Sequence, residues 1–185
     1  MVHRDAPTHR TARLGLTVAG ALVNRGVLTV GLLGAGALAG EYLALLPELL
    51  PTVSQVALFD PDDRAADELW DRLVEPVGRH GVQLCIDRHA RDAVRGADLV
   101  LPVDAAHAAP LRAGWLAAGA VVLNLGERCL PEPLRTAADV LLTAAEPRAV
   151  LLAALVRRLH GPRLIVVDLA TGCARPPHSR RMPAG

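Results

Sequence analysis

The sequence predicts an α/β protein with a Rossmann-like, doubly wound parallel sheet in a single domain. Three observations favour this fold: strand-like runs alternate with helix-like segments, the runs are apolar throughout, and a glycine-rich turn follows the first of them. Strands that are apolar on both faces are typical of a parallel sheet covered by helices on both sides. The length of 185 residues suits one such domain and is short for two.

The predicted elements follow one another from end to end of the chain. Seven apolar runs have the length and composition of buried strands: Leu28–Leu33, Val53–Asp60, Val82–Ile86, Asp98–Val103, Ala120–Leu125, Val140–Thr143 and Arg163–Asp168. Segments rich in Ala, Leu and charged residues favour helices: Thr11–Val23, Leu38–Leu50, Asp63–Arg79, Ala90–Arg95, a helical turn at Leu111–Leu116, and Pro147–His160. The domain is expected to cover residues 10–174, with disordered ends at 1–9 and 175–185.

Composition excludes several classes of function. Twenty basic against nineteen acidic residues give a formal charge of +1, and only 2% of the residues are aromatic, so no nucleic-acid surface is predicted. Every basic residue is arginine, which excludes lysine chemistry. Cys85, Cys129 and Cys173 are too widely spaced to indicate a disulfide framework or a metal site. No membrane span and no secretory leader are predicted, so we expect a cytoplasmic protein.

The glycine-rich turn has the pattern of a dinucleotide-binding loop. Gly34, Gly36 and Ala39 form G-x-G-x-x-A directly after the first strand and at the start of a helix. The first glycine permits a tight turn, the second lets a pyrophosphate approach the backbone, and the small third residue packs helix against strand. The phosphates are expected at the helix N-terminus, beside Ala37 and Leu38, where N–H groups and the dipole favour negative charge.

An acidic residue follows at the expected distance. Asp60 ends the second strand 24 residues after Gly36, near the offset of about 20 that this motif has. A carboxylate there accepts hydrogen bonds from the adenosine ribose and repels a 2′-phosphate. Asp62 and Asp63 add to that repulsion, and Arg64 offsets part of it. We therefore predict NAD(H) as cofactor, with NADP disfavoured; the alternative is a domain that keeps the glycines for packing and binds no nucleotide.

Five segments carry a family resemblance. Arg-Thr-Ala at 10–12, VGLLGAG at 30–36, AVRGADLV at 93–100, LRAGWL at 111–116 with VVLN at 121–124, and VVDLATGCA at 166–174 occur in this order. With these segments the chain resembles the ornithine cyclodeaminase/mu-crystallin family. Within that family, the run from Leu123 to Pro131 is similar to the amino-acid dehydrogenases of 2,3-diaminopropionate and siderophore biosynthesis.

The resemblance implies roles for individual residues. Arg10 matches an arginine that contacts a substrate carboxylate, and Gly172 matches the glycine turn beside the nicotinamide. Asp104 stands where the family has a threonine-like residue near the cofactor. Cys129 stands at the position of an acidic residue, for which Glu127 could substitute after a shift of the loop. The alternatives stay open: Arg10 as a solvated surface residue, and Cys129 as a small filler of the core.

His107 is a candidate on its position alone. It follows the fourth predicted strand, at the sheet edge where ligands bind, and imidazole can exchange protons near neutral pH. The alternative is an ordinary histidine of a surface loop.

The resemblance implies an enzymatic activity, but the sequence contains no lysine. Family members carry a further lobe that binds the amino acid, supplies a catalytic lysine and forms the dimer. We therefore expect a truncated relative that is non-autonomous or catalytically degenerate, an accessory protein in specialised metabolism. Two alternatives remain: an NAD-dependent amino-acid or imine oxidoreductase, or cyclodeaminase, completed by a partner chain or homo-oligomer; and a nucleotide-free protein-binding scaffold. The predicted helix Thr11–Val23 is the expected surface for a partner or a second copy.

Overall fold

The computed structural model describes residues 7–23, 28–103, 111–126, 130–143 and 163–169. In chain order the elements are α1 (Pro7–Leu22), β1 (Leu28–Leu33), α2 (Ala37–Leu49), β2 (Val53–Phe59), α3 (Asp63–Gly78), β3 (Gln83–Ile86), α4 (Ala90–Val94), β4 (Leu99–Pro102), a 3₁₀ turn (Ala113–Trp115), β5 (Val121–Asn124), α5 (Glu132–Ala137), β6 (Val140–Leu142) and β7 (Ile165–Asp168). None of the described helices combines the length and the apolar character that crossing a membrane requires.

The strands form one parallel sheet, which confirms the predicted Rossmann-like fold. The seven described strands lie in the order β3-β2-β1-β4-β5-β7-β6, and every pairing is parallel. At the end of β1, Leu33 pairs with Phe59 on one side and with Pro102 on the other. The strand order reverses between β1 and β4, and such sheets bind ligands at the carboxyl ends of the strands at that point.

Helices cover both faces of the sheet and create two cores. The first core packs α1, α2 and α3 onto one face, with Leu16, Leu43 and Leu69 among its buried residues. The second packs α4, α5 and the segment before β5 onto the other face, with Ala93 and Leu134 buried. The central strands β1, β4 and β5 face a core on both sides and are therefore mostly apolar, whereas the edge strands β3 and β6 are partly exposed.

Helix α1 runs alongside α2 in the same direction. His9 Nδ1 lies 2.9 Å from Glu41 Oε2, and Arg13 Nη1 lies 3.3 Å from Glu48 Oε1. Because both contact positions move towards the C-terminus, the two helices are parallel. Their N-terminal ends therefore lie at the carboxyl edge of the sheet. The expectation of disorder over residues 1–9 was wrong from Pro7 onwards, because the helix begins there rather than at Thr11. Proline suits a first helical turn, and His9 contacts α2.

Helix α5 is an element that the sequence reading did not predict. It begins at Glu132, between Pro131 and Pro133. Two prolines suggest a turn, but a proline in the first helical turn lacks only an N–H that has no intrahelical partner there. The predicted helix Pro147–His160 and the predicted disordered tail 175–185 lie outside the described residues.

Candidate dinucleotide-binding site

The glycine loop forms a tight turn between β1 and α2. Gly34 has a φ of +107°, a backbone conformation that costs little only for glycine. Its N–H donates a hydrogen bond of 2.7 Å to the carbonyl oxygen of Phe59, the last residue of β2. The turn therefore lies over the carboxyl edge of the sheet, next to the point where the strand order reverses.

The start of α2 is open to a ligand. Gly36 is the N-cap, with φ −71° and ψ −174°, and it has no side chain to bond the first N–H groups of the helix. A Cβ added at Gly36 meets no heavy atom of the described residues within 4 Å. The N–H groups of Ala37, Leu38 and Ala39 lie outside the helix's own hydrogen-bond ladder. Open space beside N–H groups that have no intrahelical partner, at a helix N-terminus, fits a pyrophosphate.

Asp60 lies beneath this loop and holds it. The side chain is buried, and its Oδ2 accepts a hydrogen bond of 2.7 Å from the N–H of Ala35, inside the glycine loop. Its Oδ1 accepts a bond of 2.9 Å from the N–H of Asp62. A carboxylate has about four lone-pair sites, so these two bonds leave capacity for ribose hydroxyls. The structure thus brings Asp60 and the glycine loop together and gives Asp60 a bonding role within the loop.

The surroundings of Asp60 carry negative charge. Asp62 caps α3 by accepting the N–H of Arg64, at 3.1 Å. The guanidinium of Arg64, which sequence reasoning identified as the offsetting charge, has its Nε 2.8 Å from Glu68. Arg64 is attracted both to Glu68 and to Asp62, and these two interactions raise its pKa, so it offsets part of the negative field while sharing its charge with Glu68.

A second polar group, which sequence reasoning did not assemble, lies at the carboxyl ends of β5 and β7. Asn124 and Asp168 are paired in register and fully buried. The amide of Asn124 donates to Asp168 Oδ1 at 2.8 Å, and Arg135 Nε lies 3.3 Å from Asp168 Oδ2 as an ion pair. The side chain of Arg135 is itself only 11% exposed. A carboxylate and an amide that end neighbouring apolar strands are the signal that could have predicted this contact.

These buried side chains hold the backbone that follows β5. Asn124 Oδ1 accepts the N–H of Gly126 at 3.0 Å, and Asp168 Oδ2 accepts the N–H of Leu130 at 3.1 Å. Both ends of the segment 126–130 are therefore fixed at the same sheet edge as the glycine loop.

The other predicted site residues fall into two groups. Arg10 is exposed near the start of α1, next to His9, at the same end of the sheet as the glycine loop. Leu14 of α1 is 49% exposed, and association through this helix stays a prediction. The remaining candidates lie outside the described residues: Asp104, His107, Glu127, Cys129 and Gly172.

The family assignment follows from comparison with known proteins. The sequence model of the ornithine cyclodeaminase/mu-crystallin family matches residues 7–145. The chain belongs to this family. No curated protein sequence matches it significantly.

Solved structures of this kind share the fold at low identity. The Δ1-pyrroline-2-carboxylate reductase of Thermococcus litoralis, in complex with NADH and L-proline, superposes with a TM-score of 0.67 at 14% identity, covering 86% of this chain and 58% of the reductase. The probable ornithine cyclodeaminase of Bordetella pertussis Tohama I gives 0.64 at 23%, covering 89% and 60%. The iminosuccinate reductase of Paracoccus denitrificans, in complex with NAD+, gives 0.67 at 14%, covering 89% and 58%. The chain thus spans less than two thirds of the length of these proteins.

Proposed function

We propose that the chain binds NAD(H) at the glycine loop and disfavours NADP. The observation that carries this proposal is the combination of open space at Gly36, N–H groups without intrahelical partners at the start of α2, and a buried carboxylate at Asp60. Two of the compared structures hold NADH or NAD+, which supports the choice of cofactor. Bound NAD would supply a nicotinamide that accepts a hydride; this chain's own groups would position the pyrophosphate and the ribose.

The charge around Asp60 supports the preference for NAD over NADP. A 2′-phosphate on the ribose would face the carboxylates of Asp60 and Asp62, while Arg64 is paired with a glutamate. Two unit charges 4 Å apart repel by about 4 kcal/mol at the effective dielectric of a protein surface. Allowing for screening, we expect NAD to bind at least about tenfold more tightly than NADP, which corresponds to about 1.4 kcal/mol.

The role we propose for the whole chain is that of a non-autonomous or catalytically degenerate accessory protein of this family in specialised metabolism. Cys129 supports this role, because it stands at the position where the family resemblance implies an acidic residue. The pathway rests on the similarity of residues 123–131 to siderophore-type dehydrogenases.

The test is calorimetric titration of the chain with NAD, NADH and NADP, together with two variants. Gly36→Ala places a methyl group in the space proposed for the pyrophosphate, at a φ and ψ that alanine adopts. Gly78→Ala is the matched control, because its added Cβ also meets no described heavy atom but lies at the end of α3. We expect micromolar NAD binding by the natural chain and by Gly78→Ala, and a loss of at least about tenfold in Gly36→Ala.

Two results would contradict the proposal. If Gly36→Ala binds NAD as tightly as Gly78→Ala does, the glycine loop is not the binding site. If the natural chain gives no heat and no thermal shift at millimolar cofactor, the loop serves packing alone and the nucleotide-free scaffold becomes the better hypothesis.

A second candidate function is an NAD-dependent oxidoreductase or cyclodeaminase that is completed by a partner chain or a second copy. The observation that favours it is the buried group of Asn124, Asp168 and Arg135, because it bonds the N–H groups of Gly126 and Leu130 at the sheet edge where a nicotinamide would lie. We expect NADH formation from a small amino acid and NAD only in the presence of the completing protein, measured by absorbance. NADH formation by the purified monomer alone would exclude the need for completion.

A further inference from the structure

A histidine–glutamate pair lies one helical turn from the proposed pyrophosphate site, and the proposed function leaves this pair without a role. His9 Nδ1 is 2.9 Å from Glu41 Oε2, and the two side chains are 11% and 23% exposed. His9 belongs to the first turn of α1, and Glu41 follows Ala37, the first residue of α2, by four positions. At a rise of about 1.5 Å per residue, Glu41 lies about 6 Å along the helix axis from the start of α2.

The hydrogen bond between the two side chains determines which atom of His9 exchanges a proton. An ionised carboxylate only accepts hydrogen bonds, so Nδ1 carries the hydrogen that Glu41 accepts. Proton uptake then occurs at Nε2 and gives the imidazole a positive charge. Imidazole makes this change between about pH 5 and pH 8. The pair therefore carries one negative charge when His9 is neutral, and no net charge when His9 is protonated.

Among the described residues, His9 is the one histidine at this interface. Helix α1 packs on α2 and β5, and β5 contributes no titratable side chain. The arginines of α1 stay protonated, and burial raises the pKa of the tyrosine of α2, so its phenol stays neutral. Two turns further along α2, a second glutamate lies 3.3 Å from an arginine of α1. Besides His9, the charged and titratable side chains of the two helices are Arg10, Arg13, Glu41, Tyr42 and Glu48.

A pyrophosphate at the start of α2 changes the balance of charge around His9. The positive ends of α1 and α2 lie at this edge of the sheet and oppose a charge on the imidazole. The pyrophosphate of NAD carries two negative charges, which attract a proton to His9 and are repelled by the carboxylate of Glu41. Because such coupling is reciprocal, a proton on His9 strengthens the binding of the pyrophosphate.

We propose that NAD binding takes up a proton at His9, and that the His9–Glu41 pair thereby makes the affinity for NAD depend on pH. Neutral His9 leaves the carboxylate of Glu41 to repel the pyrophosphate, whereas protonated His9 cancels that charge. This inference rests on the proposed binding of NAD at the glycine loop. It adds His9 and Glu41 to the site as groups that act on the pyrophosphate through their charge, without direct contact.

Calorimetric titration with NAD at pH 6 and at pH 8 is the test. We expect the natural chain to bind NAD about fivefold more tightly at pH 6, as for one screened unit charge about 10 Å from the pyrophosphate. At pH 7, titrations in two buffers with different heats of ionisation should show net proton uptake. His9→Gln should bind with equal affinity at both pH values and without proton uptake. His80→Gln is the matched control, because His80 is exposed beyond the end of α3, and this variant should behave as the natural chain does.

A pair of glutamate variants tests the sign of the effect. Glu41→Gln removes the carboxylate that repels the pyrophosphate, so at pH 8 this variant should bind NAD about fivefold more tightly than the natural chain does. Glu48→Gln makes the same change at an exposed residue about 10 Å further along α2. Its affinity for NAD at pH 8 should stay within about twofold of that of the natural chain.

The outcomes separate this inference from the proposed function. If the natural chain and His9→Gln show the same change in NAD affinity between pH 6 and pH 8, proton uptake at His9 is excluded while NAD binding stands. If Glu41→Gln binds NAD more weakly than the natural chain at pH 8, the proposed repulsion is wrong. If His9→Gln does not fold, the two-buffer titration of the natural chain decides, and the absence of proton uptake overturns the inference. If NAD binds at neither pH, the proposed function fails and this inference fails with it.

Discussion

Replacement of Asp168 by asparagine removes a buried charge from the junction of β5 and β7 without changing the size of the side chain. Asp168 is 1% exposed, and both of its oxygens accept hydrogen bonds: Oδ1 from Asn124 and Oδ2 from Leu130. The NH₂ group of an asparagine must therefore face a donor at one of these positions. The substitution also leaves the guanidinium of Arg135 beside a neutral group.

The expected cost follows from these contacts. Removal of one partner from a buried ion pair costs about 3–5 kcal/mol. Arg135 keeps a contact of 3.4 Å with Glu132, which places the expected loss at the lower end, about 3 kcal/mol. For a chain of this length each kcal/mol corresponds to about 2–4 °C, so the melting temperature should fall by about 6–12 °C.

The assay is urea unfolding followed by far-ultraviolet circular dichroism, with thermal unfolding beside it. Glu75→Gln is the matched control, because it makes the same carboxylate-to-amide change in an exposed pair with Arg79 and should cost less than about 0.5 kcal/mol. The double variant of Asp168→Asn with Arg135→Met should cost less than the sum of its parts, since no unpaired guanidinium remains. If Asp168→Asn shifts the midpoint no more than the control does, the buried ion pair does not stabilise this edge.

Four further predictions concern stability and are measured by the same urea midpoints. Burial and a neighbouring carboxylate raise the pKa of Asp87, so ionisation opposes folding; Asp87→Asn should stabilise the chain at pH 7, with the gain disappearing below the ordinary pKa near 3.8. Asp139→Asn should do the opposite, because the backbone N–H of Leu164 lowers the pKa of that carboxyl. The substitution should destabilise the chain at pH 7 and should have no effect on stability in acid. If both variants changed the free energy of unfolding in the same direction, this pair of predictions would be refuted. Tyr42→Phe should stabilise by about 1 kcal/mol, because the buried hydroxyl has no hydrogen-bond partner among the described residues; destabilisation would contradict this. Gly31→Ala should cost about 1–3 kcal/mol, since its Cβ would lie 2.6 Å from the backbone oxygen of Ala93, and an unchanged midpoint would show that α4 moves freely.

The parts of the fold that sequence predicted are those that local chemistry determines. The central strands could be predicted because a strand that faces two cores is apolar at nearly every position, and the edge strands because apolar residues still predominate in them. The glycine loop could be predicted because the turn at Gly34 requires a positive φ, and because a ligand that approaches the backbone at Gly36 leaves no room for a side chain. Each of these requirements acts on a single residue and is therefore visible in the sequence.

The parts that it missed depend on contacts between distant segments. Arg135 and Asp168 are 33 residues apart and meet only because β7 lies next to β5 and α5 packs behind it. A cavity of about 420 Å³ likewise joins Phe59, Arg88 and Trp115 from three separate segments. Pairing of this kind follows from the strand order, and the strand order is not contained in any local pattern.

The structure also changes how Asp60 must be tested. Asp60→Ala would remove the acceptor for the N–H of Ala35, so a loss of NAD binding could come from a disturbed glycine loop rather than from a lost ribose contact. The ratio of the NAD affinity to the NADP affinity avoids this ambiguity. Damage to the loop weakens the binding of NAD and NADP alike, whereas removal of the charge favours only NADP, the cofactor with the 2′-phosphate. We therefore expect Asp60→Asn to reduce the preference for NAD over NADP by about tenfold even where both bind more weakly. An unchanged ratio, measured by calorimetry against Gly36→Ala, would show that Asp60 holds the loop and does not select the cofactor.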